Sequence, residues 1–199
     1  MISKMYFYGQ PYLRQKILSK EDVQLLLKKK EQLILSPSQV FKRNKVLIDH
    51  KLRKSHSQLF NYKKLEKMLL KCCYRNLKKF DPSLALKDLG SIEILQFASY
   101  ERGSFFDWHM DTYSIKNVER IFTIIVMLND SDDYVGGKLE LIDYQNNKIQ
   151  IKDIEKGEVI IFPSDYLHRV SAVRSGERNT ITTWVIGQRL TPMQSFNNA

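Results

Sequence analysis

Cysteine is scarce in this chain: two of 199 residues, Cys72 and Cys73, side by side. Neighbouring cysteines rarely bridge, because ordinary backbone geometry holds their sulfurs apart. A disulfide framework is therefore excluded, and reduced thiols in a cytoplasmic compartment are expected. Nothing in the surrounding sequence stabilises a thiolate, so the pair reads as packing on a helix face. Long apolar runs are also lacking. The longest spans residues 124–128, far too short to cross a bilayer, so no membrane association is expected. The first nine residues have neither an extended apolar core nor an A-x-A-like cleavage site, and no secretory leader is expected. The eight glycines form no phosphate-cradling loop, and there is no G-x-S-x-G elbow and no paired C-x-x-C. Asp130, Asp132 and Asp133 lack the glycine and terminal glutamate of a Ca2+ loop and read as a solvated turn.

The chain is long enough for one domain with a sizeable core, and its 43% hydrophobic content is that of a globular protein. Charge is unevenly spread. Residues 1–80 hold 20 Lys+Arg against 5 Asp+Glu, whereas residues 81–199 hold 12 against 17. A basic half can meet an acidic or nucleic-acid partner. A Lys-rich helical surface in water gives the same count, and that reading is favoured here.

Helices are expected first. In 19–35, Ser19 and Asp22 resemble a capping box, and Val23, Leu26, Leu27 and Leu33 make an apolar face. In 59–80, Tyr62, Leu65, Leu69, Cys72, Asn76, Leu77 and Phe80 recur at three- and four-residue steps, with Lys63, Lys67, Lys71 and Arg75 as a stripe on another face. Residues 36–57 between them are basic and irregular; His50 and His56 there are not assigned to metal. From about residue 90 the texture becomes short strands: 91–100, 120–129, 138–143, 148–152, 158–162, 168–173 and 179–188, with a hairpin-like turn at 174–177. The expected fold is mainly β with N-terminal helices (α+β), a double-stranded β-helix or jelly roll. Residues 1–89 are expected to form a helical, basic extension packing on the barrel, 90–190 its core, and 191–199 a fraying tail.

Within the strand-rich part, His109, Asp111 and His168 supply two imidazoles and one carboxylate. That is the set used by 2-His-1-carboxylate Fe(II) sites, which leave three coordination positions open. On a strand, residues two apart share a face, so His109 and Asp111 can both point inward with Met110 outward. Arg178, ten residues after His168, provides an always-charged fork for a carboxylate deeper in the same barrel.

These residues resemble the 2-oxoglutarate/Fe(II) oxygenase superfamily, within it the prolyl 4-hydroxylase-like branch that includes the bacterial PKHD-type hydroxylases. The resemblance covers about residues 90–190. Residues 100–111 (YERGSFFDWHMD) resemble that branch's Tyr…Gly…His-x-Asp signature, Gly136-Gly137-Lys138-Leu139 its Gly-Gly-x-Leu turn, and Phe162-Pro163-Ser164 the approach to the distal His168. Trp184 follows Arg178 as in the family's basic-x5-Trp pattern. Collagen-type enzymes carry Lys at the Arg178 position; Arg resembles the bacterial members, whose targets vary.

The resemblance implies that His109, Asp111 and His168 hold Fe(II) and act in catalysis, and that Arg178 binds 2-oxoglutarate. It adds Tyr100 and Trp184 to the cofactor site, although a core aromatic is an equal reading for each. The implied cofactors are Fe(II), 2-oxoglutarate and O2, with ascorbate among those the family allows. The implied reaction is hydroxylation of a C–H bond, with release of succinate and CO2. The implied substrate is a peptide or small amino-acid compound, most simply proline. Two other readings stay open. An oxidative nucleic-acid demethylase would suit the basic half, but that class resembles Arg-x5-Arg where this chain has Trp184. A non-catalytic, metal-binding jelly-roll module would have no need of Arg178. Residues 36–58 and 112–119 are expected to cover the site.

Overall fold

The computed structural model describes residues 11–42, 45–80, 89–115 and 118–187; the expected tail at 191–199 lies outside them. Two antiparallel sheets face one another as a jelly roll. The major sheet runs Leu13–Lys16, Glu158–Pro163, Val118–Met127, Arg178–Gly187, Leu95–Tyr100, His56–Phe60, Ser36–Pro37, with Ser114–Ile115 beside Val118–Met127 and Leu89–Ile92 beside Arg178–Gly187. The minor sheet runs Lys148–Ile151, Leu139–Ile142, Leu167–Val170, Phe105–His109, Arg53–Lys54.

The period of two along the central strands sorts the core into layers. Ile124, Val126, Val159, Ile161, Ile181 and Val185 face outward from the barrel. They pack under the two helices against Leu26, Leu65, Leu69 and Cys73. Ile125, Met127, Ile160 and Phe162 point the other way and meet Leu139, Leu141 and Ile151 of the minor sheet. The major sheet is thus buried on both faces, which is why residues 121–128 read as a near-continuous apolar run rather than an alternating one.

The helices are shorter than their periodicity suggests. The first is α1, Lys20–Lys30, and its capping box at Ser19 and Asp22 is formed. Its buried residues are Val23 and Leu26. The second is α2, Lys63–Phe80; the side chains of residues 77–80 lie outside the description. Residues 59 and 60, expected in that helix, are strand instead, because His56–Phe60 pairs with Leu95–Tyr100 across five residues. The irregular segment 36–57 also departs from expectation. It holds a Val40–Lys42/Lys45–Leu47 hairpin and Arg53–Lys54, which pairs with Phe105–His109. Residues 1–89 therefore contribute strands to both sheets as well as the helical layer. The expected hairpin turn at 174–177 is partly strand, Val173–Gly176, paired with Tyr134–Gly136.

Candidate active site

The strand Arg178–Gly187 carries one side of the site. Its residues 178, 180, 182 and 184 share a face, so Arg178, Thr180, Thr182 and Trp184 all line one cavity of about 440 Å³. This is the physical content of the basic-x5-Trp spacing: six residues are three strand periods. The neighbouring strand matches it in register, with Thr123 opposite Trp184 and Met127 opposite Thr180. The minor sheet supplies the other side through Phe106, His109, His168 and Val170.

His109 and His168 are cross-strand partners. Each imidazole sets its Nδ1 against the backbone carbonyl two residues earlier, Asp107 O at 2.7 Å and Tyr166 O at 2.9 Å. Donation of Nδ1–H to those carbonyls leaves Nε2 with its lone pair free, the tautomer a metal ligand needs. Both Nε2 atoms converge on Asp111, at 3.6 Å from Oδ1 and 3.4 Å from Oδ2. The ligand atoms of all three residues lie within 4.8 Å of one another, a spacing that could hold a metal ion. Asp111 itself is not on the strand, contrary to the two-residue alternation read from H-x-D. The strand ends at His109, and Asp111 is held just past it by its N–H, which donates to Ser164 O at 2.8 Å. Met110 between them does point to solvent.

Neighbours fix the donors further. Thr123 Oγ1 donates to Asp111 Oδ2 at 2.9 Å, and Phe106 stacks on the His109 ring at 3.4 Å and 11°. Burial lowers the His109 pKa to about 3, with the neighbouring His168 acting in the same direction and Asp111 against it. Burial alone would raise the Asp111 carboxyl. The adjacent His168 and His109, with help from the indole of Trp184, outweigh it and hold that carboxyl well below the ordinary range. At neutral pH the set therefore offers an uncharged His109 imidazole and an ionised Asp111, beside the converging Nε2 of His168, a donor set that suits a divalent metal.

Arg178 lies at the other end. It is 1% exposed, its Nε has no hydrogen-bond partner, and its Nη2 donates to Met127 Sδ at 3.7 Å. Its guanidinium sits 5.3 Å from the Tyr100 ring centroid. Among the described residues no carboxylate forms an ion pair with it. A buried, unneutralised guanidinium is costly, so the position calls for an anion from outside the chain. Room for the Arg178 side chain itself comes from the Gly136-Gly137 turn. Both glycines have positive φ, and a Cβ at Gly137 would lie 3.0 Å from Arg178 Cδ.

Sequence reasoning missed several cavity residues. Thr123 was seen only as part of a buried strand. Arg120 makes a two-pronged pair with Glu93, both contacts at 2.7 Å, and lies 3.6 Å from the Trp184 ring centroid. Arg53, 5% exposed, sits 4.5 Å from the Phe106 ring centroid. One signal was available for Thr123: it is the single polar residue in the run 121–128, at the same alternate positions as Ile125 and Met127. Of residues 36–58 and 112–119, expected to cover the site, Val40, Phe41, Leu52, Arg53, Thr112 and Tyr113 are among the residues that line the cavity.

A jelly roll with a His-Asp-His set facing an arginine that has no ion pair among the described residues is a candidate metal site, and comparison with known proteins shows what it resembles. Residues 95–186 match the family model of the 2OG-Fe(II) oxygenase superfamily. A PKHD-type hydroxylase of Prochlorococcus marinus (strain MIT 9215) is 34% identical over 89 residues, covering 45% of this chain and 39% of the relative. A PKHD-type hydroxylase of Prochlorococcus marinus (strain MIT 9515) is 28% identical over 134 residues, 67% of this chain and 54% of the relative. The chain thus spans well under two thirds of the length of the curated relatives it matches. In fold, it is similar to a Pseudomonas putida prolyl-4-hydroxylase (TM-score 0.66, 18% identity, 91% of this chain and 94% of that one). It is also similar to a Trichoplax adhaerens prolyl hydroxylase solved with a hypoxia inducible factor peptide fragment (TM-score 0.70, 19% identity, 90% and 84%). Residues 95–186 are thus similar to the 2OG-Fe(II) oxygenase superfamily, and the curated relatives they resemble are PKHD-type hydroxylases.

Proposed function

We propose that this protein is an Fe(II)- and 2-oxoglutarate-dependent dioxygenase that hydroxylates a C–H bond. The substrate is a prolyl or other amino-acid residue of a peptide, or a free amino acid, and succinate and CO2 are released. The observation that carries this reading is the pairing of two opposite needs in one cavity: a convergent donor set that could hold a metal, and a buried Arg178 with no anion among the described residues. A metal-binding module without the chemistry has no use for the second.

His109 and His168 would hold the iron through Nε2 and Asp111 through a carboxylate oxygen. With iron bound, 2-oxoglutarate and O2 supply the oxidising power that turns C–H into C–OH. The chain's own residues position and shield. Thr123 holds the Asp111 carboxylate, and the carbonyls of Asp107 and Tyr166 hold the imidazole tautomers. Arg178 would take the far carboxylate of 2-oxoglutarate, beside the face of Tyr100. Met127, its sulfur contact, is four residues along the strand from Thr123, about 13 Å. Ile125, Phe106 and Val170 exclude water between the two ends. The two free, buried thiols of Cys72 and Cys73 go with a reducing, cytoplasmic setting. No helix among the described residues is long and apolar enough to cross a membrane.

The test is formation of succinate from 2-oxoglutarate on adding Fe(II) and O2. Wild type is expected to form it slowly without a substrate, and Asp111→Ala to form none. A wild-type protein that binds iron in equal amount but neither binds nor consumes 2-oxoglutarate would sink the proposal.

A further inference from the structure

Three guanidiniums reach the cavity, and among the described residues only one of them has a charge partner. Arg120 is neutralised by both oxygens of Glu93. Arg178 is the cation assigned above to 2-oxoglutarate. Arg53 is unlike either. It is 95% buried, and its hydrogen bonds go to uncharged acceptors only: Ser55 Oγ at 2.9 Å, Gln96 Oε1 at 3.1 Å and Gln39 O at 3.5 Å. Among the described residues no carboxylate forms an ion pair with it. Three of its five N–H donors are engaged by these bonds, so donors remain for another acceptor.

Its position is specific. Arg53 pairs in register with Phe106, its guanidinium lies over the Phe106 ring, and that ring stacks on His109. The charge is therefore held one aromatic ring from the metal-binding set, on the minor-sheet side, whereas Arg178 belongs to the major sheet. Val40, Leu52, Leu59 and Phe106 make the nearby walls apolar. An unneutralised buried cation with spare donors, set in apolar walls at the metal end of the cavity, is the arrangement that recognises a carboxylate on a mainly apolar molecule.

We propose that Arg53 is a second anion site of this cavity, on the substrate side, and that the substrate presents a free α-carboxylate next to an apolar side chain. A free amino acid and the last residue of a peptide share that chemistry. The inference rests on the proposed function, since it takes the Arg178 end to be occupied by 2-oxoglutarate. It makes the Arg53 end the part of the site that separates free-acid substrates from internal residues of a chain.

The experiment uses the Fe(II)- and 2-oxoglutarate-loaded protein kept free of O2. Binding of matched acid and amide pairs is measured by calorimetry: L-proline and L-prolinamide, L-leucine and L-leucinamide, and N-acetylated tripeptides ending in each residue as acid or amide. Wild type is expected to favour acid over amide by roughly ten- to a hundredfold in at least one pair. Arg53→Gln is expected to abolish the preference, and Arg53→Lys, which keeps the charge without the fork, to retain part of it. All three proteins should bind 2-oxoglutarate alike. If the preference appears in single amino acids, the substrate is the free compound; if it appears only in tripeptides, it is a chain terminus. Equal or absent binding of acids and amides, with 2-oxoglutarate bound normally, overturns the inference. Loss of 2-oxoglutarate binding in Arg53→Gln also overturns it, since Arg53 would then serve the other end. Failure of wild type to bind 2-oxoglutarate is instead a failure of the proposed function, and this inference falls with it.

Discussion

The two ends of the cavity are built in opposite ways. The histidine–carboxylate end lies where a strand stops: His109 is the last residue of its strand, and Asp111 is pinned beyond it by one backbone hydrogen bond and one threonine. Its polar atoms that face the protein are satisfied, and the atoms that converge are lone pairs. The arginine end is anchored to the ten-residue strand Arg178–Gly187, at the centre of the major sheet, and is held by packing rather than by polar bonds. One end presents acceptors and the other presents donors. The fold places them on facing sheets, so each can be altered while the other keeps its shape.

That independence can be broken or sharpened by substitution. The largest effect is expected from Asp111→Ala, which removes the one anionic donor. Iron retained after gel filtration, measured by metal analysis, should fall to background, and succinate formation with it. Next in size, Leu69→Ala behind the major sheet removes a fully buried side chain. It should cost about 3 kcal/mol in denaturant unfolding while leaving the dissociation constant of 2-oxoglutarate unchanged. A changed constant would mean that the sheet does not isolate the cavity from the helical layer. Arg178→Gln should leave iron retention intact and weaken 2-oxoglutarate by roughly ten- to a hundredfold. Equal loss of both would show that the two ends are not separable. Thr123→Val, which deletes the hydrogen bond to Asp111 but keeps the volume, should weaken iron by about tenfold, read by competition with a chelator.

The smallest effect lies outside the cavity. Glu177 bonds with Lys30, Ser99 and Asn179; burial pushes its carboxyl up, but these partners win and hold it below the ordinary value of 4.5. A depressed folded value gives stability that is present above pH 4.5 and lost as the pH falls through the folded value. Glu177→Gln should therefore lower the unfolding midpoint at neutral pH and flatten its decline on the acid side. An unchanged acid slope would mean that the network contributes nothing.

Much of this was legible in the sequence, for identifiable reasons. Residues 121–128 are an apolar, largely β-branched run broken only by Thr123, and 180–186 are β-branched except for Trp184, so the major sheet announces itself. His109, Asp111, His168 and Arg178 are residue types whose chemistry limits what they can do together. Only the His109/Asp111 spacing hinted at the strand Phe105–His109, because Phe-Phe-Asp-Trp-His does not alternate; both of its phenylalanines are half-buried and its pairing comes from two distant strands. Asp111 was placed on a strand by its spacing, whereas a hydrogen bond to Ser164, 53 residues away, holds it in a loop. Arg53 was hidden among 20 basic residues in the first 80. Only tertiary burial separates it from the solvated lysines around it, and the short strands that bury it are too brief to leave a periodic trace.

The most direct measurement of the central claim is the visible spectrum of the protein mixed with Fe(II) and 2-oxoglutarate in the absence of O2. Chelation of bound iron by the 2-oxo acid gives a metal-to-ligand charge-transfer band. The account predicts that band in wild type, its loss in His109→Ala, and a higher 2-oxoglutarate requirement in Arg178→Gln. Bound iron in wild type with no band at any 2-oxoglutarate concentration would contradict the account and leave a metal-binding jelly roll without the oxygenase chemistry.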